Sequence, residues 1–389
     1  MPNNIIKEKI INLSNQLSRE AFDFLEQLVN SNSFSSNSKG LNDTAELIIQ
    51  KGQQLGLQFE KHPVESGPKG AFHLLCRIPE NGKPYYGLIG HFDTVHPPES
   101  PFKTYREEGE RIFGPGVQDM KSGLVSAIYS TVLLRELFGT APPFCLLFNS
   151  DEETGSKDSR RLIESEMRRA EAVFVFEGHN SSRPELVTSR KGITMGKITT
   201  HGCSAHAGEA PNKGINAVVE MAQKVFQLQT LTDLEAGKLV TTGWIQGGVT
   251  ANQIPEKCES VLDVRYSTPK DGEDLMQKIT SILRNSYLPG ATTDFQLEQA
   301  RPPFVKTTAT KKLFDIYSQT AAEFGRSFGE KAAGGGSDAN LTAAIGVPTL
   351  DGFGCAGEGP HTDHEYILKS SLIESIQNFS YFFHRLINT

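Results

Sequence analysis

The sequence predicts an α/β fold in which a principal domain is interrupted by a smaller inserted one. Three observations carry that expectation. Short apolar runs alternate with helical stretches up to about residue 190, the order changes to βαββαβ from Lys191 to Arg301, and helix and loop resume after Arg301-Pro302-Pro303. Alternating strands and helices predict a mixed, mostly parallel sheet. A βαββαβ order predicts a split-βαβ sandwich on an antiparallel sheet. A chain of 389 residues exceeds one ordinary core, so two folded units are expected. The boundaries fall at 1–190, 191–301 and 302–389, with the outer segments forming one discontinuous domain.

Element by element, Ile6, Ile10, Leu13, Leu17, Phe24 and Leu28 recur at helical spacing and predict an amphipathic helix over 5–28. Strands follow at 73–78, 85–90, 144–149 and 172–177, with a helix over 124–137. The insert reads as a strand at 193–200, a helix at 213–228, strands at 238–245 and 260–266, a helix at 273–283 and a strand at 294–297. Leu372, Ile376, Phe379, Phe383 and Leu386 predict a closing amphipathic helix over 371–386. No internal repeat or low-complexity tract interrupts this order.

Composition narrows the function. Hydrophobic content of 37%, charged content of 22% and a mean hydropathy of -0.34 describe an ordinary globular chain, and no run of 18 apolar residues predicts a membrane span. A net charge of -7 and a pI near 5.9 argue against nucleic acid or anionic membrane as partners and favour a small molecule. Met1 to Lys7 lack a basic region followed by an unbroken apolar run, so a cytoplasmic location is expected. Cys76, Cys145, Cys203, Cys258 and Cys355 are scattered and odd in number, which predicts reduced thiols and no thiolate metal site.

The chemistry lies at strand ends. Leu88-Ile89-Gly90-His91-Phe92-Asp93 puts a His and an Asp two apart, on one side of a buried strand. There His91 can bind metal while Asp93 holds its other ring nitrogen, or the pair is an ordinary polar strand end. His96 reads as a loop residue. Asp119, in the glycine-rich segment Gly114 to Gly123, either serves a site or caps the following helix. Asp151-Glu152-Glu153 follows a very apolar strand; three carboxylates there cost stability unless a cation compensates, the alternative being a solvated acidic turn. Glu177 ends the next strand, and His361 lies in the late segment Gly357 to Glu365. Together His91, Asp119, Glu153, Glu177 and His361 lie where α/β sites form, beyond the carboxyl ends of strands, and two His with three carboxylates suit two divalent ions of the zinc type. Charge supports a pair: three carboxylates and one shared hydroxide balance two dications. Glu152 is then left as general base, taking a proton from water and passing it to the leaving amine.

His91-Phe92-Asp93-Thr94-Val95, Gly116-Val117-Gln118-Asp119-Met120-Lys121, Asp151 to Ser156 and the late His361 occur in the order and spacing of a known family. The chain resembles the di-zinc metallopeptidases and deacylases that include glutamate carboxypeptidase, acetylornithine deacetylase and succinyl-diaminopimelate desuccinylase, and glutamate carboxypeptidase most. The resemblance covers nearly the whole chain. It implies a discontinuous di-zinc catalytic domain, two zinc ions per chain with cobalt or manganese as substitutes, and a homodimer made through the inserted domain at 191–301. It also implies that Asp119 bridges the ions, that His91 with Glu177 completes one site and Glu153 with His361 the other, that Glu152 is the base, and that the Asp119-Met120 peptide is cis.

Beyond the metals, His201 to Gly208 resembles the insert motif whose histidine, here His206, polarises the scissile carbonyl in the neighbouring subunit's site. Asn252 and Arg265 resemble the residues that bind the substrate's free carboxylate, for which a bidentate arginine is the physical match. Gly334-Gly335-Gly336-Ser337-Asp338-Ala339 resembles the glycine-rich substrate loop, where the amides of Gly335 and Gly336 can approach a ligand. Ser122 stands where glycine is common, and Glu at 177 matches the carboxypeptidase and deacylase members. Gly352 to Gly357 spells GxGxxG but leads to Pro360 and His361 instead of a helix, so no dinucleotide site is expected.

The expected activity is hydrolysis of an amide beside a free-carboxylate amino acid, as a C-terminal exopeptidase. Deacylation of an N-acyl amino acid is the alternative within the same chemistry, and a non-catalytic metal-binding paralogue the alternative outside it. The substrate is a small peptide or N-acyl amino acid.

Overall fold

Strands that are apolar at successive positions bury both faces, and the first of two units is built around them. The computed structural model describes residues 3–78 and 84–388; Met1 and Pro2, at the head of the segment read as lacking a leader, lie outside these. The first unit comprises Met1–Ser189, Lys306–Ala332 and Ser337–Thr389, and the second Arg190–Val305 with Ala333–Gly336.

Numbered along the chain, the strands are β1 (Glu60–Pro63), β2 (Phe72–Ile78), β3 (Tyr85–His91), β4 (Phe144–Asn149), β5 (Ala170–Val175), β6 (Glu185–Arg190), β7 (Gly192–His201), β8 (Leu239–Gly247), β9 (Lys257–Tyr266), β10 (Thr292–Arg301), β11 (Gly329–Ala333) and β12 (Thr349–Asp351). The helices are α1 (Asn3–Asn30), α2 (Ser38–Gln54), α3 (Ser122–Phe138), α4 (Ser159–Met167), α5 (Ala217–Gln229), α6 (Pro269–Arg284), α7 (Thr308–Glu323), α8 (Ala339–Ala344) and α9 (Lys369–Leu386).

The larger sheet runs β1-β2-β4-β3-β5-β12-β6-β11. Its centre, β4-β3-β5-β12, is parallel. The flanks turn antiparallel, β2 against β4, β1 against β2 and β6 against β12. Every residue of β4 is buried, as a central parallel strand requires. Helix α3 is buried all round from Ser122 to Leu134, largely apolar with a few small hydroxyl residues, and packs against both α1 and α9. Phe174, Phe353, Phe379 and Phe382 meet edge to face or tilted, at centroid distances of 5.3–6.2 Å. A second small sheet, not foreseen, joins Arg106–Glu108, Arg111–Phe113, Tyr366–Leu368, Ala356–Glu358 and His179–Asn180. Its strands are two or three residues long, too short for periodicity to reveal.

The second unit has the order β8-β9-β7-β10, antiparallel throughout. With α5 and α6 it forms βαββαβ around Ile198, Met221, Leu262, Val264, Leu275 and Ile279. Helix α6 begins four residues earlier than its apolar pattern, because Thr268 accepts the Asp271 amide and Pro269 opens the first turn. Ala333–Gly336, expected with 302–389, groups with this unit instead. The Lys191 amide donates to the Ala333 carbonyl, and Arg190 and Arg265 donate to the carbonyls of Gly335 and Gly334.

Candidate metal centre

The carboxyl ends of β3, β4 and β5 deliver three acid- or imidazole-bearing turns to one place. His91 is the last residue of β3, Glu152 and Glu153 form the short helical turn after β4, and Glu177 follows β5. Asp119 arrives on the turn before α3, and His361 on the loop between Ala356–Glu358 and Tyr366–Leu368. Close approach makes this assembly sterically demanding: a Cβ on Gly123 would lie 2.0 Å from the Phe176 carbonyl oxygen. Glycine there lets the start of α3 touch the backbone leading into Glu177.

Asp119 is not a helix cap. Its φ of -122° and ψ of 88° are non-helical, its peptide to Met120 is cis, and no side chain caps α3. Its two oxygens are instead divided. Oδ1 lies 3.1 Å from His91 Nε2, which is 3.8 Å from Glu177 Oε1. Oδ2 lies 3.3 Å from His361 Nε2, which is 3.3 Å from Glu153 Oε2. Two tetrahedral zinc ligands at ~2.0–2.1 Å from one ion stand about 3.4 Å apart. These donors are spaced as the edges of two such polyhedra with the Asp119 carboxylate common to both. The site residues therefore fit a pair of divalent ions.

The electrostatics say the same. The hydrogen bond to Asp119, then that to Glu153, raises His361 to about 10. Burial opposes charge on His91, yet Asp119 and Asp93 hold it well above the ordinary imidazole value. Against its own desolvation, Asp119 is kept well below the carboxylate range by His361 and His91. Burial, with the charge of Asp119, drives Glu177 well up, and burial raises Glu153. In such a cluster, cations relieve both the desolvated carboxylates and the histidines that would otherwise have to protonate. The charge of Glu152 also contributes to the upward push on Glu177.

Asp93 does more than hold His91. The His91 Nδ1 lies 3.0 Å from the Asp93 carbonyl and 3.4 Å from its carboxylate. That carboxylate, fully buried, also accepts Glu152 N at 3.1 Å, Glu153 N at 3.2 Å and Ser35 Oγ at 2.8 Å. His96 lies in a loop, as expected, but is buried, and its Nε2 lies 3.1 Å from Glu365 Oε2. Neither Ser35 nor Glu365 stood out in the sequence, because much of what they hold is backbone. Ser122, where glycine is common in the resemblance, has helical φ of -65° and ψ of -32°, a conformation open to any residue. After Gly352 the chain enters the strand Ala356–Glu358, so GxGxxG opens no helix.

His206, Asn252, Arg265, Gly335 and Gly336 belong to the second unit. His206 pairs with Gln253 on a two-stranded ribbon, Ala205–His206 against Gln253–Ile254, and just beyond it Ala207 N donates to the Asn252 carbonyl. The exposed His206 ring accepts the amides of Gly208 and Glu209 at Nδ1, both at 3.2 Å. The neutral ring therefore carries its proton on Nε2. Arg265 forks onto Asp263, Nε to Oδ1 at 2.7 Å and Nη2 to Oδ2 at 2.8 Å, and turns Nη1 toward the Gly334 carbonyl.

Comparison with known proteins gives the family. A sequence profile of peptidase family M20/M25/M40 matches residues 87–389. Carboxypeptidase G2 of Pseudomonas sp. (strain RS-16) is 30% identical over 352 residues, 88% of this chain and 83% of that protein. Succinyl-diaminopimelate desuccinylase of Wolinella succinogenes is 25% identical over 347 residues, 85% and 90% of the two chains. Acetylornithine deacetylase of Edwardsiella ictaluri is 30% identical over 299 residues, 71% and 75%. The fold is that of the M20 family metallo-carboxypeptidase Sso-CP2 from Sulfolobus solfataricus, with a TM-score of 0.76 at 18% identity over 93% of this chain and 98% of that one. With the profile spanning most of its length and a relative of this identity, the chain belongs to peptidase family M20/M25/M40 and is a metallo-hydrolase.

Proposed function

We propose that the protein is a two-zinc C-terminal exopeptidase, cleaving the amide that joins an amino acid with a free carboxylate to the rest of a small substrate. The observation that carries this reading is the division of the Asp119 carboxylate between the His91–Glu177 and His361–Glu153 pairs. Bound there, zinc, or cobalt or manganese in its place, would act as a Lewis acid toward the scissile carbonyl and activate water. Glu152 takes the proton of the attacking water and returns it to the leaving amine. Arg265, its plane set by Asp263, offers its Nη1 edge to the substrate carboxylate beside the Gly334–Gly336 loop, whereas Asn252 lies at the other end of β9, next to the His206 ribbon, and joins His206 instead. His206 donates from Nε2 to the carbonyl oxygen as negative charge develops there.

A homodimer through 191–301 is part of the proposal. Strand β8 is an edge strand that turns Trp244 and Ile245 to solvent, and α5 exposes Val219 and Phe226. Unpaired edges and exposed apolar side chains of this kind suit a second copy. Within that dimer His206 serves the neighbouring subunit's centre. The five cysteines are free, which supports a cytoplasmic setting. Among the described residues no helix is long and apolar enough to cross a membrane.

The similarity to a desuccinylase and a deacetylase supports a second reading, N-acyl-amino-acid deacylation by the same residues. A panel of dipeptides, acyl-glutamates and acetylated or succinylated amino acids, assayed with zinc, separates the two. Release of C-terminal residues, glutamate among them, is the expected result. Activity confined to acetylated or succinylated monomers would replace the first reading with the second.

A further inference from the structure

We infer that Glu365 is a positioning residue that clasps the segments carrying His91, Asp119 and His361 into one arrangement, resting here on the two-cation reading above. Its carboxylate is fully buried. Oε1 accepts the amides of Gln118 at 2.7 Å and Asp119 at 2.9 Å, and Oε2 accepts the amide of Gly116 at 2.8 Å. His96 Nε2, at 3.1 Å from Oε2, supplies the fourth donor. A carboxylate offers about four lone-pair sites, so each has a partner.

The placement of these four donors gives the clasp its function. Three belong to the turn whose last amide is that of Asp119 itself. The fourth, on His96, belongs to the loop that continues from His91 and Asp93. Glu365 lies four residues after His361, in the loop that carries that histidine, and its carbonyl also accepts the Gly114 amide at 3.4 Å. One buried charge therefore ties together three segments, each bearing a candidate ligand. Asp119 lends an oxygen to each half of the centre, so a shift of its turn displaces a donor of both cation positions at once. Nothing about Glu365 requires it to touch substrate.

Glu365→Gln is the decisive variant, because either orientation of the amide turns an NH2 group toward N–H donors. Zinc affinity of metal-free wild type, E365Q and H96N is measured by calorimetric titration, with the electronic spectrum of each cobalt-loaded protein and the Tm of each metal-free protein. The expected result for E365Q is a loss of about 10–100-fold in metal affinity at both positions and an altered cobalt spectrum. H96N, which removes one donor of four, should show the same changes at smaller amplitude. Wild-type affinity and spectrum in E365Q, with only Tm lowered, would reduce Glu365 to scaffold and overturn the inference. If E365Q does not fold, H96N decides by the same criteria. A wild-type chain that binds no metal would bring down the two-cation reading and the clasp together, whereas a normally loaded wild type beside an unchanged E365Q overturns the clasp alone.

Discussion

Asp93 holds Glu152 by its backbone: the Asp93 Oδ1 accepts the Glu152 amide at 3.1 Å, while Oδ2 accepts that of Glu153 at 3.2 Å. The strand end that carries His91 is thereby tied to the turn that carries both the proposed base and a proposed ligand. Removing this carboxylate leaves the Glu152 and Glu153 amides without their acceptor, leaves the Ser35 hydroxyl only the Thr94 carbonyl at 3.3 Å, and loosens the His91 ring. Asp93→Ala should lower metal affinity by about 10–100-fold, and unfolding stability by about 1–3 kcal/mol for each buried donor left unsatisfied. Titration with zinc and denaturant melts check this; wild-type metal affinity would detach Asp93 from the centre.

Glu152 is proposed to move protons without holding metal. Glu152→Gln should therefore keep two equivalents of zinc by elemental analysis and lose about 10²–10⁴-fold in kcat. Turnover at the wild-type rate would remove it as the general base.

The His206 ring presents Nε2–H because Nδ1 is engaged by two amides. His206→Ala should cut kcat by about 10²–10³-fold, the cost of one oxyanion donor, with metal content unchanged. Mixed dimers pairing H206A with E152Q subunits test service across the interface. Recovery of about a quarter to a half of wild-type activity is expected, since one complete site is restored. A fully active monomer would refute that arrangement.

Stability and metal affinity should respond oppositely to pH. In the metal-free protein the Asp119 and Glu153 hydrogen bonds raise His361 to about 10, above the ordinary imidazole value of about 6.5. A group raised on folding stabilises fully below its unfolded pKa, and that contribution is lost as pH climbs through the folded one. Glu177, driven up by burial and then by Asp119, has the same sign. The Tm of chelator-treated protein should thus fall from about pH 6.5 toward 10, while the stabilisation added by zinc grows, because the ligands must be deprotonated to bind. Calorimetric scans with and without chelator read both trends. A metal-free Tm that rises over this interval would contradict the ion pairs of His361.

The strands were legible wherever an apolar run had length: the ends of β3 and β4 were read to within a residue, whereas β5 stops at Val175, two residues before the expected Glu177. The ribbon that frames His361 was not, since a strand of three residues has no period. Asp119 could be read either as a cap or as a site residue, since a carboxylate serves both. Only the packing of its turn against Glu365 and the two histidines decided where its oxygens point.

Residue chemistry is local, and so the acids and imidazoles, their place beyond apolar strands and the βαββαβ insert were already determined by the order of amino acids. What only the folded chain decided was partnership between residues 59 to 249 apart: Asp93 with the amides of Glu152 and Glu153, Glu365 with those of Gly116, Gln118 and Asp119, and the Gly334–Gly336 loop with Arg190 and Arg265. In each, one partner is a backbone amide or carbonyl. Such groups are chemically the same at nearly every position, so sequence cannot say which of them a side chain will meet.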